Sequence, residues 1–466
     1  MKVLKFGGSS LGTAARIRRV AKIISDASQA DRLAVVLSAM KGVTDSLISC
    51  AKSAASGDPG YTKELEAIDR RHRKTAEELL GEAGRGETGD GLGFLFKELE
   101  ELKDVLHGVE LIRECSPLSL DLIMSFGERI ICRLFARFLE SLGIPAEMVD
   151  ARQIIVTNSN HGCAVVSPVT YTKIRERLSG ARKTPIVTGF IASSEKGATT
   201  TLGRNGSDYT ASLIGAGLSA EAIEIWTDVD GVLSADPSSV KNAFVIPELS
   251  YQEAMELSYF GAEVIHPYTM IPAVENGIPI RIKNTFHPGS PGTLISAAAS
   301  PKGTPITGIA SIEHVALVNV EGGGMIGIPG FAARIFGALA RHSISIIMIS
   351  QASSEHSICL VFQEDLVDKV RETLRGELET ELRTKRIQEF EIMGRLVIVA
   401  VIGENMRGTP GISGRLFSAL GKEGINVLAI AQGSSERNIS LVISAADKGK
   451  ALRSIHRAFL ESEEGV

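Results

Sequence analysis

Residues 1–42 read MKVLKFGGSSLGTAARIRRVAKIISDASQADRLAVVLSAMKG, and this stretch decides the fold. Val3–Phe6 is a short apolar strand that runs directly into Gly7-Gly8-Ser9-Ser10. An amphipathic helix follows over about Ala14–Ala27, with Ile17, Val20, Ile23 and Ile24 on one face. Leu33–Leu37 is an uninterrupted apolar run, the pattern of a strand buried on both faces, and it ends in Ser38-Ala39-Met40-Lys41-Gly42. Strand, glycine loop, helix and strand in that order open an α/β fold with a mostly parallel sheet sandwiched by helices.

Moving outward, Tyr61 to about Arg113 reads as helical and charged, with Gly84–Gly93 as a loop tip. The run Arg70-Arg71-His72-Arg73-Lys74 lies among Glu64, Glu66, Glu77 and Glu78 and reads as a solvated helix face. Leu120–Leu142 is a long helix carrying Gly127-Glu128-Arg129. Pro185–Ala192 and Glu221–Trp226 are apolar strands, each followed by a polar, glycine-rich loop. Tyr251–Gly261 reads as a helix and Ile278–Lys283 as a strand. Small residues and prolines over Ser296–Pro305 then mark a linker. Beyond it the sequence repeats itself: 322–362 aligns with 403–443 without gaps, and 18 of 41 positions are identical. Each copy reads as a βαββαβ module of roughly 70 residues. The expected division is 1–297 for the α/β domain, 298–312 for the linker, 313–390 for the first module and 394–466 for the second.

Bulk properties exclude several classes. The chain has 466 residues, about three domains at ~150 residues each. Hydrophobic residues at 44% and charged residues at 23% exclude a disordered chain. A net charge of −5 and a pI near 6.1 leave no basic excess for a phosphate backbone, so no nucleic-acid partner is expected. The five cysteines, Cys50, Cys115, Cys132, Cys163 and Cys359, form no CxxC, which points to a reducing cytoplasm rather than a disulfide framework. Lys5 interrupts any apolar core at the N-terminus, so no signal peptide is expected there. No run reaches the ~18 apolar residues of a span, so no membrane partner is expected. The nine histidines show no ligand spacing, and no protein-held metal is expected.

Four motifs carry possible chemistry. Lys5 ends a strand ahead of two glycines whose N–H groups can approach an anion, while the lysine offers a point charge to a phosphoryl oxygen. The competing reading is a tight turn with a solvent lysine. Gly203-Arg204-Asn205-Gly206-Ser207-Asp208 repeats the design: Arg204 can grip a carboxylate and Asp208 can orient Lys5 or a magnesium ion, against a reading as a plain helix start. Thr227-Asp228-Val229-Asp230 follows a strand end, where open α/β sheets bind ligands, against a plain turn. Glu128 and Arg129 interrupt an apolar helix, which is costly inside a protein unless both are paired or face solvent.

Together these blocks resemble the aspartokinases. The matching stretches are KFGGSS (5–10), VVLSAMKGVTDSL (35–47), SFGER (125–129), TLGRNGSDY (201–209), EIWTDVDGV (224–232), YQEAMELSYFGAEVIHP (251–267) and IKNT (282–285). The duplicated unit, with QASSE (351–355) and QGSSE (432–436), resembles tandem ACT domains of ferredoxin-like form. The resemblance covers nearly the whole chain and implies the amino acid kinase fold followed by two ACT domains. It implies ATP with Mg²⁺ as cofactor and phosphorylation of the aspartate β-carboxylate to 4-phosphoaspartate. Lys5 would stabilise the transferring phosphoryl, organised by Asp208, with Gly7, Gly8 and Ser9 lining the same loop. Ser38 and Thr44 would contact aspartate, Glu128 its ammonium and Arg204 its α-carboxylate. Thr227 and Asp228 would bind the nucleotide, and Gln351 and Gln432 an amino-acid effector, threonine over lysine. A homodimer or homotetramer through the ACT domains is implied. The chain stops at Val466, so no homoserine dehydrogenase domain, which some relatives carry, is expected. Leu233, Ser238 and Glu263 depart from the family's usual tyrosine, arginine and lysine, all on the nucleotide side. They keep open a second reading: a catalytically weak paralogue acting as an amino-acid-sensing regulatory subunit.

Overall fold

The computed structural model describes residues 1–81, 93–161, 164–261, 266–297, 303–351 and 356–461. The chain forms two units, one of Met1–Val232, Val245–Tyr251 and Glu263–Ala299, the other of Leu233–Phe244, Gln252–Ala262 and Ser300–Val466.

The first unit begins β1 (Lys2–Phe6), α1 (Ala14–Ser28), β2 (Leu33–Leu37), α2 (Val43–Ser56), α3 (Tyr61–Leu80), α4 (Gly93–Ile112) and α5 (Pro117–Ser141). It continues β3 (Ala146–Val149), β4 (Val156–Thr157), α6 (Val169–Leu178), β5 (Thr184–Thr188), β6 (Ile191–Ser194), β7 (Thr199–Thr201) and α7 (Gly206–Leu218). Then come β8 (Ala222–Thr227), β9 (Glu248–Ser250), α9 (Pro267–Glu275), β10 (Ile280–Asn284) and β11 (Thr293–Ser296), while α8 (Tyr251–Tyr259), which follows β9 in sequence, belongs from Gln252 onward to the second unit. Eight strands form one sheet in the order β3-β5-β2-β1-β8-β10-β11-β9. Its pairings are parallel except β10 against β11. Leu33–Leu37 is buried at every position, as its unbroken apolar run requires of a central parallel strand. The expected mostly parallel, helix-covered sheet is therefore present. Strand order reverses around β1, with β2 on one side and β8 on the other, and such a reversal opens a crevice beyond the carboxyl ends of the strands.

The second unit contains β12 (Gly308–Glu321), α10 (Phe331–Arg341), β13 (Met348–Gln351), β14 (Ser357–Gln363), α11 (Val367–Glu377) and α12 (Glu379–Arg383). It ends β15 (Glu391–Ile402), α13 (Ile412–Lys422), β16 (Ala429–Gln432), β17 (Asn438–Ser444) and α14 (Lys448–Phe459). Its six strands form one antiparallel sheet, β13-β14-β12-β15-β17-β16. The two modules share it. Leu317, Val318 and Asn319 pair with Met393, Ile392 and Glu391, which supplies the first module's fourth strand from β15. Gly308–Ile312 pair with Ile398–Ile402, so the second module's fourth strand comes from ahead of the first.

This corrects the reading of 298–312 as linker and of the second module as 394–466. Residues 308–312 are ladder-paired strand, because pairing with the apolar run Ile398–Ile402 outweighs a local composition of small residues. Residues 298–302 lie outside the described residues, as do most of the expected loop tip at 84–92 and also Cys163 and Glu263. The stretches on either side of that loop tip are helical as read, α3 before it and α4 after it.

Candidate active site

Phe6 and Leu37 end β1 and β2 side by side, so the loops after them leave the sheet together. Ser38 N–H donates to Phe6 O at 3.1 Å and Lys41 N–H to Gly8 O at 3.1 Å. Gly8 is needed at this approach: a Cβ would stand 2.9 Å from Ala39 O and 3.2 Å from Lys41 N. Lys5 Nζ meets Asp208 Oδ1 at 2.6 Å, both side chains nearly buried. Asp208 lies in the first turn of α7, which starts after Asn205 in left-handed conformation (φ 54°). Gly206 lets that turn press on Phe190, whose ring atom would stand 2.8 Å from a Cβ there. Phe190 itself has φ 67°, a strained conformation for a bulky residue.

These loops enclose a cavity of about 620 Å³. Eight of the residues singled out in the sequence line it: Lys5, Gly7, Gly8, Ser38, Thr44, Glu128, Arg204 and Asp208. Arg204 is exposed to it and has no ion-pair partner among the described residues. Lys41, Met124, Phe190, Thr201 and Ser207 also line the cavity and were not assigned a role from sequence. Ser207 was within reach, since it stands inside the same GRNGSD run; Phe190 had only its place after a buried strand as a signal.

Glu128 is the most informative group. Gly127 brings α5 onto the loop after β2, where a Cβ would stand 2.8 Å from the Ala39 Cβ. That contact delivers Glu128 into the wall, 2% exposed. Its Oε1 accepts the Ala39 N–H at 3.0 Å, and its Oε2 is buried with no hydrogen-bond partner. Burial pushes its carboxyl up to about 8. A buried carboxyl with one oxygen unmet is poised to accept a cation. Arg129 is buried as well and pairs with Glu98 at 2.6 Å and Glu101 at 2.9 Å, so the solvent-face alternative for this pair does not hold.

Ser9, Thr227 and Asp228 do not line this cavity. They lie at or just beyond the carboxyl ends of the adjacent strands β1 and β8, where Gly7 N–H donates to Trp226 O at 3.2 Å. Thr227 Oγ1 donates to Asp228 Oδ1 at 3.2 Å, and the Ser9 carbonyl accepts from Arg16 at 2.7 Å. Asp230 is engaged by Asn284 at 2.8 Å and His287 at 3.1 Å. Lys283 lies over the Trp226 ring, 4.9 Å from its centre. Among the described residues no three His, Cys, Asp or Glu side chains are grouped to hold a metal.

The basic run of α3 departs from its reading as a solvated face. His72 is fully buried and Arg71 reaches Lys41 O at 2.8 Å and Gly12 O at 3.1 Å. The buried stripe Leu65, Ile68, His72, Ala76 and Leu79 fixes which side of α3 faces in, and it carries part of the run with it. Arg73 and Lys74 stay outside, paired with Asp69 and Glu78.

In the second unit, Gln351 ends β13 and lines a cavity of about 380 Å³ with Ile328, Pro329, Gly330 and Phe331. Gln432 ends β16 and lines one of about 130 Å³ with Thr409, Gly411, Ser413 and Glu436. The two positions are equivalent in the duplication. Ser353, Ser354 and Glu355 lie outside the described residues. No helix among the described residues is long and apolar enough to cross a membrane.

Comparison with known proteins matches residues 1–284 to the amino acid kinase family and 318–378 and 399–459 to the ACT domain. Bifunctional aspartokinase/homoserine dehydrogenase 2, chloroplastic, of Arabidopsis thaliana is 40% identical over 99% of this chain and 51% of its own length. The chain thus spans about half the length of the first curated relatives it matches. Aspartokinase 1, chloroplastic, of Arabidopsis thaliana is 34% identical over 99% of this chain and 80% of its own. Among solved structures, Clostridium acetobutylicum aspartate kinase superposes with TM-score 0.83 at 32% identity, over 98% of this chain and 100% of that one. E. coli aspartokinase III in complex with aspartate and ADP superposes with TM-score 0.81 at 29% identity, over 98% and 99%.

Proposed function

The chain belongs to the amino acid kinase family and, within it, to the aspartokinases; from that premise we propose that it phosphorylates the β-carboxylate of L-aspartate with Mg-ATP. The observation that carries the reading is Glu128 Oε2, a buried carboxyl oxygen without a partner among the described residues, in a cavity that Lys5 and Arg204 also line. The substrate's ammonium meets that oxygen, and Arg204 grips the α-carboxylate. Ser38 and Thr44 hydroxyls hold the rest of aspartate, which leaves its β-carboxylate free toward the Gly7-Gly8 loop.

A carboxylate oxygen attacks the γ-phosphorus directly and needs no general base. The new O–P bond forms as the bond to the β,γ-bridging oxygen breaks, giving 4-phospho-L-aspartate and ADP. Lys5, fixed by Asp208, faces the charge that moves onto the bridging and equatorial oxygens. Backbone N–H groups of Gly8 and Ser9 share that task, on the loop that Gly7 also lines, and Thr227 and Asp228 hold the nucleotide. Mg²⁺ enters with ATP and supplies further neutralisation of phosphate charge.

An amino acid, threonine, bound beside Gln351 and Gln432 regulates turnover. Assembly through the ACT modules belongs to the same reading, supported by exposed Ile326, Ile328, Ile349 and Ile430 on the second unit. A reducing, cytoplasmic setting belongs to the same reading, supported by five cysteines that are odd in number and far apart in sequence.

A regulatory subunit without turnover is the second reading. It is favoured by Leu233 and Ser238 on the nucleotide side, where the family usually has tyrosine and arginine. Ser238 here spends its hydroxyl on Asp236, at 2.7 Å, and carries no charge. A coupled ADP-release assay with aspartate and Mg-ATP decides between the two. Aspartate-dependent release is expected, and Lys5→Ala should lower kcat about 10²–10³-fold. No release from the wild-type chain would leave the regulatory reading.

A further inference from the structure

Lys41 is held by both of its backbone polar groups while its charge is left free. Its N–H donates to Gly8 O at 3.1 Å and its carbonyl accepts from Arg71 at 2.8 Å. The same guanidinium reaches Gly12 O at 3.1 Å, so Arg71 ties the loop after β1 to the loop after β2 from outside the cavity. Arg71 is on α3, remote in sequence from every cavity-lining stretch, and makes no ion pair among the described residues. Two carbonyls are all it engages there.

The Lys41 side chain, by contrast, lines the cavity, is exposed, and has no ion-pair partner among the described residues. Its Cα would stand 3.3 Å from a Cβ on Gly8, which starts its stem on the Gly7-Gly8 loop. Cations at that end are few. Lys5 is already paired with Asp208, and Arg204 is needed for the substrate's α-carboxylate. A triphosphate keeps net negative charge even with its Mg²⁺, and Lys5 shares its own charge with Asp208, so this loop has a use for a further cation.

We propose that Lys41 contacts the phosphates of bound ATP, and that Arg71 is the positioning residue that fixes it there. This rests on the reading of the cavity as a site of phosphoryl transfer from ATP. Arg71 suits the role because a planar guanidinium reaches two carbonyls at once, which an ammonium on a flexible stem does not.

The full chain is tested as wild type, K41M, K41R, R71A, R71K and K41M/R71A. Steady-state rates are taken with varied ATP at saturating aspartate, and aspartate binding is measured by calorimetry without nucleotide. K41M is expected to lower kcat/KM for ATP about 10- to 100-fold, the scale of one charge-assisted hydrogen bond. K41R should keep most of the activity, and aspartate binding should stay within about twofold in both. R71A should lower kcat/KM for ATP in the wild-type background and add nothing in K41M, since a residue acting through another has no separate effect once that one is gone. R71K should fall between R71A and wild type.

Unchanged kcat/KM for ATP in K41M overturns the proposal, as does an equal loss of aspartate binding. An R71A effect of the same size in both backgrounds overturns the positioning role. If the wild-type chain releases no ADP, the kinase reading fails instead. ATP affinity of wild type against K41M, by calorimetry, then still decides Lys41: weaker binding in K41M supports it and equal binding overturns it.

Discussion

At the scale of single residues, Glu128 sets a pH dependence whose sign can be worked out. Its carboxyl titrates at about 8 in the folded chain, against 4.5 ordinarily, because burial disfavours the charged form. Between those values the folded state binds a proton that the unfolded state has lost. Stability therefore falls as pH rises from about 4.5 to about 8. An ammonium on Oε2 favours the ionised form, so aspartate binding expels the proton. Apparent affinity for aspartate should rise with pH up to about 8. Glu128→Gln removes both effects. The variant should lose this decline in Tm as pH rises from about 4.5 to about 8 and raise KM for aspartate at least about tenfold, the scale of a lost hydrogen bond to a charged group. Scanning calorimetry and kinetics over that range check it; a variant with wild-type KM would remove Glu128 from the ammonium site. The presence of this residue was legible in sequence as a carboxyl inside an apolar helix. Its unmet oxygen was not, because that depends on which backbone N–H groups a loop 89 residues away presents.

At the scale of elements, the site is two loops leaving adjacent parallel strands, and Gly8 sets their separation. A Cβ at Gly8 meets backbone atoms of Ala39 and Lys41 at 2.9–3.3 Å, and no flexible side chain is there to give way. Gly8→Ala should push the loops apart by several tenths of an ångström. A misplacement of about 1 Å can cost about 10²-fold in rate, so a loss of about 10- to 100-fold in kcat is expected. Gly180→Ala, where a Cβ finds open space, is the matched control. Circular dichroism separates misplacement from unfolding, and Gly8→Ala at control activity would mean the loops do not need this contact. The elements here were readable because each carries a local pattern: an apolar run for β2, a 3.6-residue stripe for α1. The same stripe in α3 includes His72, so the inward face of the basic run was legible too, but charge dominated the reading. Residues 308–312 were not legible. Their strand identity comes from a partner about 90 residues away, and nothing local in Gly-Ile-Ala-Ser-Ile distinguishes them from a linker.

At the scale of the whole molecule, regulation has to pass between two units, and the chain is continuous between them more than once. Leu233–Phe244 follows the loop after β8 and packs within the second unit: Ser234 Oγ meets His456 Nε2 at 3.1 Å and Lys448 meets Asp236 at 3.0 Å. Gln252–Ala262 does the same, with Asn438 donating to Glu256 at 2.9 Å. A ligand that favours one arrangement of the second unit therefore acts on segments covalently joined to the nucleotide side. The duplication offers two equivalent places for that ligand, but they are unequal. The Gln351 cavity is about 380 Å³ against about 130 Å³ at Gln432. In the smaller one the Glu436 carboxylate already accepts the Gly408 N–H at 2.7 Å, a donor that an amino acid's own carboxylate would seek. Gln351→Ala should thus relieve threonine inhibition far more than Gln432→Ala. Allosteric coupling of about 1–3 kcal/mol puts the shift in half-inhibitory concentration at about 5- to 150-fold for the first, and within about threefold for the second. Threonine titrations of the three proteins, each scaled to its own uninhibited turnover, measure it. Equal shifts would mean both sites carry the effector despite their sizes. A wild-type chain that ignores threonine and answers to lysine would overturn the choice of effector, while the paired modules would still be where it binds.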